Sequence, residues 1–518
     1  MGTKSVLVIG GGLGSLSAAI RLAKAGLRVI LFEKNPTLGG KMSEYRQSGF
    51  RWDTGPSLLT MPFVVEEIFK SVGQKRSDYL NFLALEPLCR YFFSDYTKLD
   101  ASSDRKKMLL ALSKFSPSQQ QGYLDFIKYA GKIFNTAAEI FLFTPIHEMK
   151  KLFKAQNIPL LFKLSRIDPF RNVNQAVSCF FSDQRLVQLF NRYATYNGSD
   201  PFKAPATLNI IPYVENELGG YYIQGGMYQL VKALEKLARQ LGVEIFTSSK
   251  VDKIKQINKK ITGLIVQGRF ISADYVVCGA DVVETFNSLL DNFGDQQDKL
   301  NSLEPSLSGM VFLWGVTRTF PSLAHHNILF SSDYRREFSQ IFDDHQAPDD
   351  PTIYIAISSK SDPSDAPAAS ENWFILLNMP YLHKKQNWHD ERLRMKEIVL
   401  QKLLRYGLDI SSHIQYEKCI TPYDFYESFA SNRGSIYGLS SNSRFTAFRR
   451  PANRSRLIKG LYFVGGSTHP GGGIPLVLLS GKIVAELIAE KEKIPQPVST
   501  SLTEHLQTHL RSNAEIRN

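Results

Sequence analysis

Val6-Leu7-Val8-Ile9-Gly10-Gly11-Gly12-Leu13-Gly14-Ser15 is an apolar run that feeds directly into a glycine-rich turn, and a helical pattern follows as far as Gly26. Val29 to Phe32 then reads as a second buried strand, with Glu33 at its end. Small residues are needed where a strand turns tightly, its backbone approaches a pyrophosphate and the next helix aims N–H groups at that charge. An acidic side chain after the second strand accepts hydrogen bonds from an adenosine ribose and disfavours a 2′-phosphate. The stretch therefore predicts a dinucleotide cradle built from Gly10, Gly12, Gly14, Ser15 and Glu33, with Lys34 beside it. Ser15 stands where the third glycine of the fingerprint usually does, and is small enough to be tolerated. Four glycines in the run, and no charged segment ahead of it, argue against a signal peptide.

Composition narrows the class. At 518 residues, two or three structural units are expected, and 43% hydrophobic with 21% charged residues is ordinary for a globular chain. Cys89, Cys179, Cys278 and Cys419 lie far apart without paired spacing, as reduced thiols in a cytosolic compartment would. No metal signature is present. The net charge of +13 permits nucleic acid or an anionic membrane as partner, but no nucleic-acid module accompanies it. Gly460 to Gly481 is uncharged and long enough to span a bilayer, yet Gly471-Gly472-Gly473 and Pro475 would leave backbone groups unsatisfied in lipid. It reads as a buried glycine-rich loop, and no transmembrane helix is expected.

Leu38-Gly39-Gly40-Lys41 and Gly55-Pro56-Ser57 form a second set of small-residue turns. A double glycine just after the acidic residue resembles the glutathione-reductase type of FAD domain, where the backbone approaches phosphates and ribitol; that reading favours FAD over NAD. Gly40, Lys41, Gly55, Pro56 and Ser57 then join the cofactor site, although Lys41 also fits a solvated surface charge. From about Asp100 to Phe181 the pattern turns helical, with Ile133 to Phe143 rich in large apolar residues. There Lys150, Lys151, Lys154, Lys163, Arg166 and Arg171 alternate with Leu and Phe. Such a stretch fits a headgroup-plane segment on an anionic bilayer and an ordinary helical cap equally well. Tyr228 to Leu241 predicts a helix, and strands at Val243–Phe246, Val251–Ile254, Ile261–Val266 and Tyr275–Val277 resume the nucleotide-binding sheet. Val251 fits a backbone contact to adenine and core packing almost equally. Phe312–Val316, Ile353–Ile357 and Phe374–Leu377 predict a separate substrate-covering sheet. A polar tail follows Pro495.

Three further segments carry a family resemblance. Phe50-Arg51-Trp52-Asp53-Thr54-Gly55-Pro56-Ser57-Leu58-Leu59-Thr60-Met61-Pro62 is one, and Ala194-Thr195-Tyr196-Asn197-Gly198-Ser199 with Pro205-Ala206-Thr207 is another. The third, and most specific, is Gly460-Leu461-Tyr462-Phe463-Val464-Gly465-Gly466-Ser467-Thr468-His469-Pro470-Gly471-Gly472-Gly473-Ile474-Pro475. With the cradle, they make the chain resemble the bacterial phytoene-desaturase-type carotenoid desaturases from about Val6 to Ile488. The resemblance implies an α/β fold: a Rossmann-like FAD-binding domain of the glutathione-reductase/amine-oxidase type, a mixed-sheet substrate domain and a helical membrane-facing subdomain. Residues 1–95, 222–300 and 455–492 would make the first, 196–221 and 301–454 the second, 96–195 the third, and 493–518 the tail.

The same resemblance implies a cytoplasmic enzyme, peripherally associated with the membrane, that removes hydrogen from a long polyene. A hydride passes to flavin N5, a proton leaves the neighbouring carbon, and oxygen or a quinone takes the electrons. Gly465, Gly466, Ile474, Pro475 and Leu476 should surround ribitol and isoalloxazine, and the helix beginning near Pro475 could stabilise negative charge on the reduced ring. Asp53, His325, His326 and His469 are the candidates for proton transfer or orientation, His469 lying beside the flavin loop. Asp53 also fits a carboxylate that caps backbone N–H groups at a turn. Phytoene is the first substrate expected. A hydroxycarotenoid 3,4-desaturase, a diapocarotene desaturase or oxidase, and an isomerase using reduced FAD are the alternatives, and the Gly465-Gly466-Ser467-Thr468-His469-Pro470 wording leans toward the later-acting relatives.

Overall fold

β1 (Ser5–Ile9) lies at the centre of a five-stranded, all-parallel sheet, flanked by β2 (Arg28–Phe32) and β4 (Tyr275–Cys278), with β3 (Glu244–Phe246) outside β2 and β5 (Leu461–Phe463) outside β4. The computed structural model describes residues 3–138, 147–148, 167–383, 386–443 and 450–495. Alternate side chains of β1 enter different layers, which is why the strand is apolar throughout. Val6 and Val8 pack with helix α1 (Leu13–Lys24) and the C-terminal helix (Ile474–Lys491). Leu7 and Ile9 pack with Val251, Ile254 and Leu264 of a three-stranded antiparallel sheet on the opposite face. Full burial of each such side chain contributes about 1.5–3 kcal/mol.

α1 follows the turn because Leu13, Leu16 and Ile20 form one apolar face, and it stops where Gly26 takes a positive φ of 85°. Its contact with the C-terminal helix is close: a Cβ on Gly481 would stand 2.4 Å from the Gly14 carbonyl oxygen. Ser17 Oγ donates to the Leu478 carbonyl at 2.6 Å across the same contact.

The second layer system is a seven-stranded mixed sheet in the order Ile414–Ile420, Ser308–Val316, Glu371–Met379, Ile353–Ile357, His326–Leu329, Cys89–Phe92 and Lys98–Ala101. Phe312, Trp314 and Trp373 cover one face together with the helix Trp388–Arg405, while Val311, Leu313 and Phe374 meet Phe50 and Trp52 on the other. Two details differ from the sequence reading. Cys89–Phe92, inside the 1–95 segment expected in the FAD-binding domain, pairs in this sheet instead, parallel to His326–Leu329. Residues 251–272 fold as a separate antiparallel sheet beneath β1.

Helices Arg105–Leu112, Pro117–Ala137, Val173–Val177 and Gln184–Asn191 make the helical layer, centred on Phe126, Phe181 and Phe190. Lys150, Lys151, Lys154, Lys163 and Arg166, the end of the apolar stretch past Ala138, and the tail from Gln496 lie outside the described residues. Arg171 is described and pairs with Asp168 at 2.6 Å. Among the described residues no helix is long and apolar enough to cross a membrane, and no side-chain group could hold a metal ion.

Candidate functional site

The two glycine-rich strand-to-helix junctions meet in space. A Cβ on Gly14 would stand 2.9 Å from Gly465 N, so the start of α1 and the loop after β5 are in contact only because Gly14 has no side chain. Gly12, the N-cap of α1, and Gly473, the N-cap of the C-terminal helix, carry no side-chain cap. A Cβ on either would meet nothing within 4 Å among the described residues. Both helix N-termini thus open toward free space while the glycines behind them are tightly packed. Uncapped first-turn N–H groups and the positive end of the helix dipole suit phosphate at one junction and a ring that becomes negative at the other.

Gly39 N–H donates to the Gly11 carbonyl at 2.9 Å, which brings Gly40 beside Gly12, with 3.6 Å from its would-be Cβ to the Gly12 Cα. Glu33 is buried. Its Oε2 accepts from Gly11 N–H at 2.6 Å and its Oε1 from Asn35 N–H at 2.8 Å. Each oxygen keeps a further lone pair for a hydroxyl donor. Gly10 turns with φ of 83° and donates its N–H to the Phe32 carbonyl at 2.8 Å. Ser15 Oγ is buried and has no hydrogen-bond partner among the described residues.

Lys41 is not a solvated charge: its Nζ donates to the carbonyls of Ser435 and Ile436 at 3.0 and 2.7 Å. Burial pushes it down to about 8, against the pull of Asp281. Lys34 is exposed and donates to the Glu427 carbonyl at 3.0 Å, so its ammonium points to a neighbouring helix instead of the junction. Val251 packs in the core with Phe32. Gly55 lies against Lys41, where a Cβ would be 2.0 Å from the Lys41 carbonyl oxygen; Pro56 is exposed, and the Ser57 and Tyr354 hydroxyls are 2.5 Å apart.

At the second junction Gly465 N–H donates to Ser480 Oγ at 2.8 Å, tying the loop to the C-terminal helix. Val282 N–H donates to Ser467 Oγ at 3.1 Å. Gly466 sits against Gly472, and Ile474 and Pro475 are buried at the helix start with Leu476 half-buried beside them. His469 is buried; its N–H donates to the Pro451 carbonyl at 3.1 Å, its carbonyl accepts from Asn453 Nδ2 at 2.7 Å, and its ring meets that of His147 edge-on, centroids 5.7 Å apart.

Asp53 is held elsewhere. The buried Arg51 guanidinium donates to both oxygens of Asp53 at 2.9 and 3.0 Å and to both oxygens of Asp365 at 2.5 and 2.7 Å. The Tyr222 hydroxyl stands 3.0 Å from Asp365 Oδ2 and 3.2 Å from Asp53 Oδ2. A carboxylate engaged on both oxygens by an arginine is poorly placed to take a proton. His325 and His326 form an edge-on pair with centroids 4.4 Å apart, their Nδ1 atoms bonded to Ser361 Oγ at 2.7 Å and the Leu88 carbonyl at 3.1 Å. Burial, and for His325 the neighbouring His326, keeps both neutral; His326 is pushed down to about 4.

Sequence reasoning missed Arg450. It is buried and donates through Nη1 to the Gly466 carbonyl at 3.0 Å, and through Nη2 to Asn197 Oδ1 at 3.0 Å and the Leu439 carbonyl at 3.1 Å. In the sequence it is the second of two arginines before a proline, a pattern that gives no sign of burial.

The family model described as flavin containing amine oxidoreductase matches residues 16–489. A 1-hydroxycarotenoid 3,4-desaturase from Flavobacterium sp. is 38% identical over 489 residues, covering 94% of this chain and 99% of that protein. A 4,4'-diapolycopene oxygenase from Methylomonas sp. is 39% identical over 488 residues, covering 93% of this chain and 97% of that one. The crystal structure of an oxidoreductase from Methanosarcina mazei shares the fold at 18% identity, with a TM-score of 0.64 over 93% of this chain and 100% of that one. The chain belongs to the flavin-containing amine oxidoreductase family, in its carotenoid desaturase-type branch, and is an FAD-dependent oxidoreductase.

Proposed function

We propose that the protein is a carotenoid desaturase that introduces double bonds into a polyene chain, and that FAD lies across the two facing glycine junctions. The observation that carries this reading is the pair of uncapped helix N-termini, at Gly12 and Gly473, that face open space among the described residues while Gly14 joins them through Gly465. Glu33 accepts the ribose hydroxyls, and Gly12, Gly40 and the first turn of α1 with Ser15 take the pyrophosphate. Gly465, Gly466 and the Ile474-Pro475-Leu476 turn line the ribitol and ring. Bound FAD supplies the hydride acceptor, at N5. The chain's own part is to position the polyene and exclude water, for which the apolar strands of the seven-stranded sheet serve. His469 orients ring or substrate, while Asp53 holds the Arg51 cluster and takes no proton.

The substrate class favoured is a carotenoid later in the series than phytoene, because two relatives that match nearly the whole chain are named for a 1-hydroxycarotenoid and for 4,4'-diapolycopene. Phytoene is the second reading. Cells making either polyene test the two: a product with a longer chromophore and fewer hydrogens from the hydroxylated carotenoid alone supports the first, and the same change in phytoene supports the second. A cis-to-trans change at constant mass from both contradicts desaturation. The apolar substrate and the exposed Phe170, next to the basic stretch, support peripheral membrane attachment. Replacing Lys150, Lys151 and Lys154 with glutamate should abolish binding to anionic liposomes; undiminished binding refutes the attachment site. Oxygen or a quinone takes the electrons.

A further inference from the structure

Among the described residues every acceptor of the Arg450 guanidinium is neutral: the Gly466 and Leu439 carbonyls and the Asn197 side-chain oxygen. Among the described residues no carboxylate pairs with it. Burial pushes it down to about 10, and no negative charge among the described residues opposes the shift. A buried cation without a counter-charge is unfavourable unless something else supplies the charge. Arg51 and Arg192, the other buried arginines among the described residues, have Asp53 with Asp365 and Glu215 respectively. Arg450 differs from them in its place as well. It holds the Gly466 carbonyl, and a Cβ on Gly471 would lie 3.4 Å from its Cζ, so the guanidinium backs the loop that runs from Gly465 to the helix N-terminus at Gly473.

We propose that Arg450 is a positioning residue whose fixed charge, set behind the Gly466–Gly471 loop, complements the anionic reduced flavin and raises the reduction potential of the bound cofactor. The proposal rests on the reading that FAD lies along this loop. A hydride delivers two electrons and one proton to the neutral oxidised ring and leaves it with one net negative charge; the second hydrogen of the substrate leaves as a proton that passes to solvent. A nearby fixed cation in a low-dielectric site favours the charged form over the neutral one, and adds to the positive end of the C-terminal helix.

The test compares wild-type holoenzyme with Arg450→Lys and Arg450→Met by spectroelectrochemistry. The methionine variant should shift the equilibrium toward oxidised flavin at least about tenfold, about 30 mV for a two-electron couple. The lysine variant, which keeps the charge, should stay within about threefold of wild type. Equal shifts in both variants, or no shift in either, overturn the proposal, since loss of the hydrogen bonds alone would affect both. Should the methionine variant release its flavin, sulfite titration of wild type and Arg450→Lys gives the answer. Sulfite adds to N5 and leaves the ring negative, so both proteins should form the adduct with similar affinity, and wild-type enzyme that resists sulfite contradicts the proposal. Gly12→Val separates this from the placement of FAD. If that variant binds FAD as tightly as wild type, the placement is wrong; if it loses FAD while the Arg450 variants leave the potential unchanged, only the role of Arg450 is.

Discussion

Ser15 packs directly against Gly279. The serine replaces the usual glycine on α1, and the structure shows what accommodates it: a Cβ on Gly279, just past β4, would stand 2.1 Å from Ser15 Oγ. Ser15 was legible in the sequence as a departure, whereas its compensation was not, because Gly279 is distant along the chain and adjacent only in the folded sheet. Gly279→Ala should therefore cost about 1–3 kcal/mol by overpacking, and Ser15→Gly added to it should restore most of the loss. Urea unfolding of the single and double variants measures this, and additive losses would contradict the coupling. Asp53 was legible as a carboxylate in a family segment, but not as one arm of the Arg51 cluster, whose other arm, Asp365, comes from a distant loop. Asp53→Asn should destabilise the fold by a few kcal/mol, since it weakens a buried ion pair. Its rate of flavin reduction per folded, flavin-loaded enzyme should nonetheless stay within about threefold of wild type, whereas loss of a general base would cost about a hundredfold or more.

At the scale of elements, the N-terminal strand–helix–strand unit follows the sequence reading to within a residue or two at most ends, since each boundary is marked by a local feature: the glycine turn, Gly26, Glu33. The C-terminal helix was legible for the same reason, with Pro475 in its first turn. The antiparallel sheet over residues 251–272 and the membership of Cys89–Phe92 were not, because short apolar strands reveal neither their partners nor their direction. The contact between α1 and the C-terminal helix sets a sharp expectation. On an exposed helix Gly→Ala gains about 1 kcal/mol, but a Cβ on Gly481 would lie 2.4 Å from the Gly14 carbonyl oxygen and 2.7 Å from Ser17 Cβ. Gly481→Ala should instead destabilise by about 1–3 kcal/mol and loosen FAD, because the displaced helix carries both Ser480 and the Gly473 N-terminus. Thermal unfolding with and without added FAD checks it, and an unchanged or higher midpoint would contradict the packing.

Across the whole molecule, stability should depend on mild acid through the buried histidine pair. His326, with an ordinary value of 6.5, is pushed to about 4 by burial, against the Leu88 carbonyl, and His325 is shifted in the same direction. The unfolded chain binds these protons below about 6.5 while the folded chain does not, so stability falls as pH drops from about 6.5 to 4. For His326 alone the loss is on the order of 3 kcal/mol. His326→Gln should flatten part of that dependence in urea titrations at neutral and acid pH, and an unaltered slope would contradict it. What the sequence could not convey at this scale is how the cofactor unit meets the substrate sheet, because that interface is made of side chains brought from separate segments: Phe50 and Trp52 against Val311, Leu313 and Phe374. The central claim, that FAD across the two glycine junctions takes hydride from a carotenoid, is tested most directly by one anaerobic turnover. Purified, flavin-loaded enzyme is mixed with a 1-hydroxycarotenoid in vesicles while the visible flavin band and the pigment are followed together. Bleaching of the flavin in proportion to a product two hydrogens lighter is the expected result; a changed pigment of unchanged mass over fully oxidised flavin would contradict the claim.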